Sequence, residues 1–239
     1  MESIRSRSRT ALGAAGLAVL LCLGSGGSPL AKSEAEFELE RHAVAIGHYD
    51  DSALGYRLSG AGIYLGAGKF LTASHLVRPI EIEGPVIVFD HKPLTSRVVK
   101  RGAYEDVDVT LLTVDQYLLP KELRKLSEIK LCPDDPIPGE TVTVVAPGNV
   151  TNSIIVPSSV LGPQLATKLP TLIRDVYTTG NSGAGVFDPD LGCLMGIMSR
   201  KIERSYWQEV NGVRTEMKEG IAKYFVSTKM IRAFLGPYL

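Results

Sequence analysis

Apolar residues recur along the chain in short runs broken by glycine, proline and polar clusters, a pattern that predicts β-strands joined by turns. Strands are predicted at 53–58, 61–65, 69–73, 85–90, 96–101 and 108–114. A second set is predicted at 140–146, 153–160, 172–176, 184–187, 193–199 and 221–226. Between the sets, residues 115–135 mix apolar and charged positions without alternation and read as a connector. The polar stretch 200–219 contains Asn211-Gly212, a strong hairpin-turn pair, and predicts an extended hairpin. Residues 32–42 form a charged leading segment, helical or extended. The terminal STKMIRAFLGPYL predicts a short helix at about 227–236.

Composition agrees with a turn-rich β protein: 239 residues hold 24 Gly and 14 Pro, and 44% are hydrophobic, enough for one or two cores. The formal net charge is zero, which leaves no electrostatic footprint for nucleic acid. The amino terminus differs in kind. Arg5, Arg7 and Arg9 precede an apolar run from Ala11 to Gly24 and a small-residue stretch, SGGSPLA. That layout is a secretory signal peptide over 1–31, and its apolar run is short for a membrane span. The expected location is secreted or periplasmic, with membrane anchoring by an uncleaved leader as the alternative.

Three stretches carry candidate chemistry in the order His, Asp, Ser: FLTASHLV around His75, EDVDVTLLTV around Asp108 and TTGNSGAGVF around Ser182. A serine hydroxyl is a poor nucleophile at neutral pH and needs an imidazole to take its proton. The imidazole in turn needs a buried carboxylate to hold its tautomer and stabilise the imidazolium. Together these types point to acyl transfer at a peptide carbonyl. In GKFLTASH the apolar run reads as a strand, with His75 where it gives way to a loop. In DVDVTLLTV, Asp108 begins an alternating strand, and Asp106, two positions earlier, points to the same side. Glycines flank Ser182 and permit a tight turn that aims the N–H groups of Gly180 and Ser182 at one point, an oxyanion hole. A G-x-S-x-G elbow is excluded, because position 184 is Ala. His42, His48 and His91 lack metal-ligand spacing, so no metal or organic cofactor is expected.

These residues carry a family resemblance. FLTASH is similar to the TAAH-type motif of trypsin-like serine proteases, DVTLL resembles their D-[IV]-A-L-L motif, and GNSGAGV resembles their G-[DN]-S-G-G-P/A segment. GAGIYLGAGKFLTASHLV, PGETVTVVAPGN and LMGIMS are similar to the corresponding strands, so the resemblance covers roughly residues 45–236. Gaps of 33 positions from His75 to Asp108 and 74 from Asp108 to Ser182 suit the compact bacterial branch, such as the HtrA (Deg) proteases and the glutamyl endopeptidases. The resemblance implies an all-β fold: two six-stranded antiparallel β-barrels and a short C-terminal helix. A protease domain over 32–239 would place the first barrel at about 45–114 with His75 and Asp108, the connector at 115–135, and the second barrel at about 136–226 with Ser182. The D-V-T-L-L register selects Asp108 over Asp106.

The departures from the family pattern are informative too. Asn181 stands where digestive enzymes carry the Asp that pairs with a newly freed N-terminus, so activation of that kind is not expected. No peptide-binding PDZ domain of the HtrA type is expected after the final helix. Motif matching places the primary specificity pocket at Val176, Tyr177, Ser199, Arg200, Lys201 and Gly220, with no Asp at the trypsin-like floor position. YTTGNSG is similar to a glutamyl endopeptidase segment, but Met198 stands where the pocket histidine of those enzymes would be. An oxidising compartment would permit a disulfide between Cys132 and Cys193. The expected activity is a serine endopeptidase acting on polypeptide substrates. Two other readings stay open: a non-catalytic binding protein on a protease scaffold, and an esterase-like hydrolase using the same triad. The sequence does not specify an oligomeric state.

Overall fold

Alternation along the central strands sends neighbouring side chains into different cores. Phe70 and Leu112 pack inside the first half of the molecule, while their neighbours Leu71 and Leu111 face the second half. The computed structural model describes residues 32–50, 55–78, 84–174, 182–210 and 212–239; the expected leader at 1–31 lies outside them. The first half is a seven-stranded antiparallel sheet. Its strands are β1 (Ala43–Tyr49), β2 (Tyr56–Gly66), β3 (Lys69–Thr72), β4 (Val86–Phe89), β5 (Lys92–Thr95), β6 (Arg97–Arg101) and β7 (Thr110–Thr113). They lie in the order β5-β4-β1-β2-β3-β7-β6. The second half is a closed six-stranded barrel of β8 (Thr141–Ala146), β9 (Asn149–Val156), β10 (Leu172–Ile173), β11 (Gly185–Phe187), β12 (Leu194–Val210) and β13 (Val213–Ser227).

The fold is therefore all-β with two antiparallel sheets, and the first sheet has seven strands where six are expected. Two strands are unforeseen. In β1, AVAIGHY, small residues and a glycine weaken the β signal, and β5, KPLT, is a short edge strand carrying proline. The runs predicted at 53–58 and 61–65 are a single strand from Tyr56 onward. Its glycines are sites of close approach, not breaks: a Cβ on Gly60 would sit 2.7 Å from the Ser182 carbonyl oxygen. The predicted hairpin continues β12 and β13 as a two-stranded ribbon, paired from Gly196↔Ser227 to Val210↔Val213 with register shifts between Met198 and Arg200 and between Ile202 and Glu203.

Helices are short and peripheral. The leading segment is helix α1 (Glu34–Glu40), started by a capping box between Ser33 and Glu36. Helix α2 (Lys121–Arg124) lies in the connector, and α3 (Pro163–Lys168) follows β9. Helix α4 (Thr228–Leu235) buries Ile231 and Leu235 against the core shared by both halves. Among the described residues no helix is long and apolar enough to cross a membrane.

Candidate active site

His75 leaves β3 in one 3₁₀ turn, Ser74–Leu76. The buried Ser74 hydroxyl lies 3.0 Å from Thr110 Oγ1 and ties that turn to the start of β7. The loop from β6 to β7 folds back on itself: Gly102 N–H donates to the Val109 carbonyl at 2.9 Å and Ala103 N–H to the Val107 carbonyl at 3.1 Å. A Cβ on Gly102 would lie 1.9 Å from the Val107 oxygen, so this return requires glycine. It delivers Asp108 to His75 and leaves Asp106 exposed.

Asp108 clamps His75 twice. The backbone N–H of His75 donates to Oδ1 at 3.0 Å, and ring atom Nδ1 lies 2.8 Å from Oδ2. The carboxylate is fully buried while the imidazole is 27% exposed, so part of the ring stays open to solvent. A third bond comes from an unexpected direction: the Ser199 hydroxyl donates to Oδ2 at 2.6 Å. Burial pushes the Asp108 carboxyl up, but the hydrogen bonds from His75 and Ser199 outweigh it and hold the group below its ordinary value. The anion is therefore kept charged against its burial.

Ser182 sits at the junction of the two halves. Its carbonyl accepts from the N–H of Ala61 on β2, and the next residue, Gly183, donates to the Met198 carbonyl on β12, both at 2.8 Å. Gly183 adopts φ 82° and a Cβ there would lie 1.9 Å from the Ala61 oxygen. The Thr72 hydroxyl donates to that same oxygen at 2.7 Å. These contacts pin the serine turn between β2, β3 and β12. The Ser182 hydroxyl donates to the Ser199 carbonyl at 3.2 Å and makes no hydrogen bond to His75.

The other expected site residues divide. Gly180, Val176 and Tyr177 lie outside the described residues, as does Asn181. Ser199 is buried and serves both neighbours, through its hydroxyl to Asp108 and its carbonyl to Ser182. Arg200 lies over the ring of Tyr104, with Cζ 3.4 Å from the ring centroid, and Lys201 is exposed with Glu203 at 3.4 Å. Gly220 is half-buried on β13, opposite Glu203. Tyr104 itself is absent from the sequence reading, yet its ring meets that of His75 edge-on, with centroids 5.4 Å apart. No sequence signal marks it. Ser199 did carry one, since a lone hydroxyl ending the apolar run LMGIM needs a partner once buried. Cys132 and Cys193 form a disulfide with Cα atoms 5.1 Å apart. Among the described residues no group of His, Cys, Asp or Glu is arranged to hold a metal ion.

The family model of the trypsin-like peptidase domain matches residues 60–197. No curated protein matches the sequence. Among solved structures, the Rv3671c protease from M. tuberculosis in its active form is similar in fold, at TM-score 0.56 and 16% identity over 84% of this chain and 82% of that one. The HtrA-type protease AlgW with decapeptide matches at TM-score 0.56 and 16% identity, over 84% of this chain and 65% of the other. Kallikrein-related peptidase 10 in complex with Zn2+ matches at TM-score 0.55 and 15% identity, over 89% of this chain and 99% of that one. At such identities the likeness is one of fold.

Proposed function

The chain belongs to the trypsin-like peptidase domain family, whose model matches residues 60–197, and we propose that it is a serine endopeptidase working through Ser182, His75 and Asp108. The observation that carries the proposal is the double clamp of a fully buried Asp108 on a partly open His75, at 3.0 and 2.8 Å. With Nδ1–H held by the carboxylate, Nε2 keeps its lone pair for the serine proton. The Ser182 hydroxyl turns from the Ser199 carbonyl to Nε2 and attacks the scissile carbonyl carbon as its proton passes to His75. Asp108 stabilises the imidazolium, and the N–H groups of Gly180 and Ser182 receive the tetrahedral oxyanion. His75 then protonates the leaving amine, and water activated by the same ring hydrolyses the acyl-enzyme.

The reading extends to substrate and location. The substrate is a polypeptide, supported by the decapeptide held by the HtrA-type relative. Residues 1–31 are a leader directing export, and the Cys132–Cys193 bond fits an oxidising compartment. The test is hydrolysis of an unfolded protein substrate by the purified protein. Ser182→Ala is expected to lower kcat/KM by roughly 10⁴-fold or more, because nucleophile and base act as a unit. Hydrolysis that survives in Ser182→Ala at wild-type rate would remove this serine from the reaction.

A further inference from the structure

Arg200 is held in a way that solvated surface arginines are not. Its guanidinium lies on the Tyr104 ring, Cζ 3.4 Å from the centroid, Nη2 donates to the Tyr104 carbonyl, and Nε donates to the Ser199 hydroxyl at 3.2 Å. Both supports belong to the site. Tyr104 meets the edge of His75, and the Ser199 hydroxyl is the one that donates to Asp108. A cation is thus fixed beside the base, on the residue that follows the carbonyl accepting the Ser182 hydroxyl. A guanidinium carries five N–H donors, and only two take part in these bonds. Among the described residues, no acidic group consumes the rest. Asp108 is shared between His75 and Ser199, and no bond joins the exposed Glu105 or Asp106 to the guanidinium.

The edge of β12 beside Ser182 is open at this point. β11 pairs with it only up to Ile197, with Met198 N–H donating to Ala184 and the Met198 carbonyl accepting from Gly183. Beyond Met198 no described strand covers that edge. An extended peptide brought to Ser182 and running along Ser199 and Arg200 would add beside β12 as a further strand, its side chains alternating in direction. One of them can meet the remaining N–H groups in the plane of the Arg200 guanidinium, whose fork matches a carboxylate. Lys201 lies next along the strand, 3.4 Å from the Glu203 carboxylate, and is less free to serve as the second reader.

We propose that Arg200, braced on Tyr104, selects substrates with Asp or Glu at one position close to the scissile bond. This rests on the peptidase reading above. The test is digestion of a peptide library by the full protein, comparing wild type with Arg200→Gln and Arg200→Glu, and with thermal unfolding to show that each variant is folded. Wild type is expected to favour Asp and Glu over Asn and Gln at that position by roughly fivefold, the scale of an accessible ion pair. Arg200→Gln should lose the preference and Arg200→Glu should turn it toward Lys and Arg. Added salt should weaken the preference in wild type and in Arg200→Glu and leave Arg200→Gln unchanged.

A library without acidic preference in wild type, or one whose preference survives in Arg200→Gln, overturns the inference. Fluorophosphonate labelling of Ser182 run alongside separates the two claims. Labelling without acidic preference leaves the peptidase reading standing and removes the role of Arg200. If neither labelling nor cleavage occurs, the peptidase reading falls. Binding of an acidic peptide and its amide counterpart to Ser182→Ala, followed by fluorescence anisotropy, then decides the fate of Arg200. Equal binding of the two peptides refutes acidic selection at this site.

Discussion

Asp108 has two opposing environments in one side chain, a buried position that disfavours charge and three hydrogen-bond donors that favour it. The donors win, so its carboxyl titrates below the ordinary carboxylate range. A depressed folded-state value means that the group contributes stability above its unfolded value, and that the contribution disappears as pH falls through the folded one. Urea unfolding of wild type and Asp108→Asn should therefore show a gap in stability at neutral pH that narrows toward about pH 3 and below. A gap independent of pH would mean that the charge is not what these bonds hold. Ser199→Ala should shift the narrowing to higher pH by removing one donor. The types and order of His75, Asp108 and Ser182 are legible in the sequence because each lies in a local motif. The bond from Ser199 to Asp108 joins residues 91 positions apart, and the Tyr104–Arg200 stack joins the β6–β7 loop to β12, so neither leaves a local pattern.

At the scale of elements, the serine turn depends on glycines that let strands approach. Gly183 combines φ 82° with a Cβ position 1.9 Å from the Ala61 carbonyl, whereas Gly212 in the hairpin turn has φ 77° and open space around it. Replacement by alanine should therefore separate the two. Gly212→Ala is expected to cost about 1 kcal/mol for backbone strain alone. Gly183→Ala must also push β2 away and should cost about 3 kcal/mol or more, with loss of peptidase activity. Thermal unfolding of both variants checks this, and equal destabilisation would show that the junction with β2 does not depend on the glycine. The same close approaches explain where strand prediction failed. Gly60 and Gly62 suggest a break in SGAGIYLG, but they serve a continuous β2 because Ser182 and Leu71 pass beside them. Runs rich in Val, Ile, Leu and Thr are placed by pattern alone: β7 and β8 fall within the spans predicted at 108–114 and 140–146.

Across the whole molecule, the connector is laced to the second half more than its sequence suggests. Cys132 N–H donates to the Leu194 carbonyl at 2.8 Å, Leu194 N–H to the Lys130 carbonyl at 2.9 Å, and the disulfide joins the same two segments. From α4, the Thr228 hydroxyl donates to the Cys132 carbonyl at 3.1 Å and Arg232 to the Leu131 carbonyl at 2.8 Å. The bridge spans 61 positions of sequence, so its loss in Cys132→Ala/Cys193→Ala should cost about 2–4 kcal/mol by freeing the unfolded chain. The backbone bonds remain, and the variant should stay folded at room temperature with a lower denaturant midpoint and a somewhat steeper slope, because the freed unfolded chain exposes more surface. An unaltered midpoint would show that these bonds suffice. The core shared by both halves, with Leu71, Leu111, Phe187 and Tyr224 among its members, forms one frame that joins β3, which leads into His75, to β11, which follows Ser182.

That shared frame matters only if Ser182 becomes a nucleophile when a carbonyl or phosphonyl centre enters the cleft. Intact-mass spectrometry after exposure to a fluorophosphonate reads this directly. A single adduct per chain that maps to Ser182, is absent in Ser182→Ala and forms far more slowly in His75→Ala is the expected result. Folded protein that takes up no adduct, or takes it up at another residue, would contradict the assignment of Ser182 and His75 as nucleophile and base.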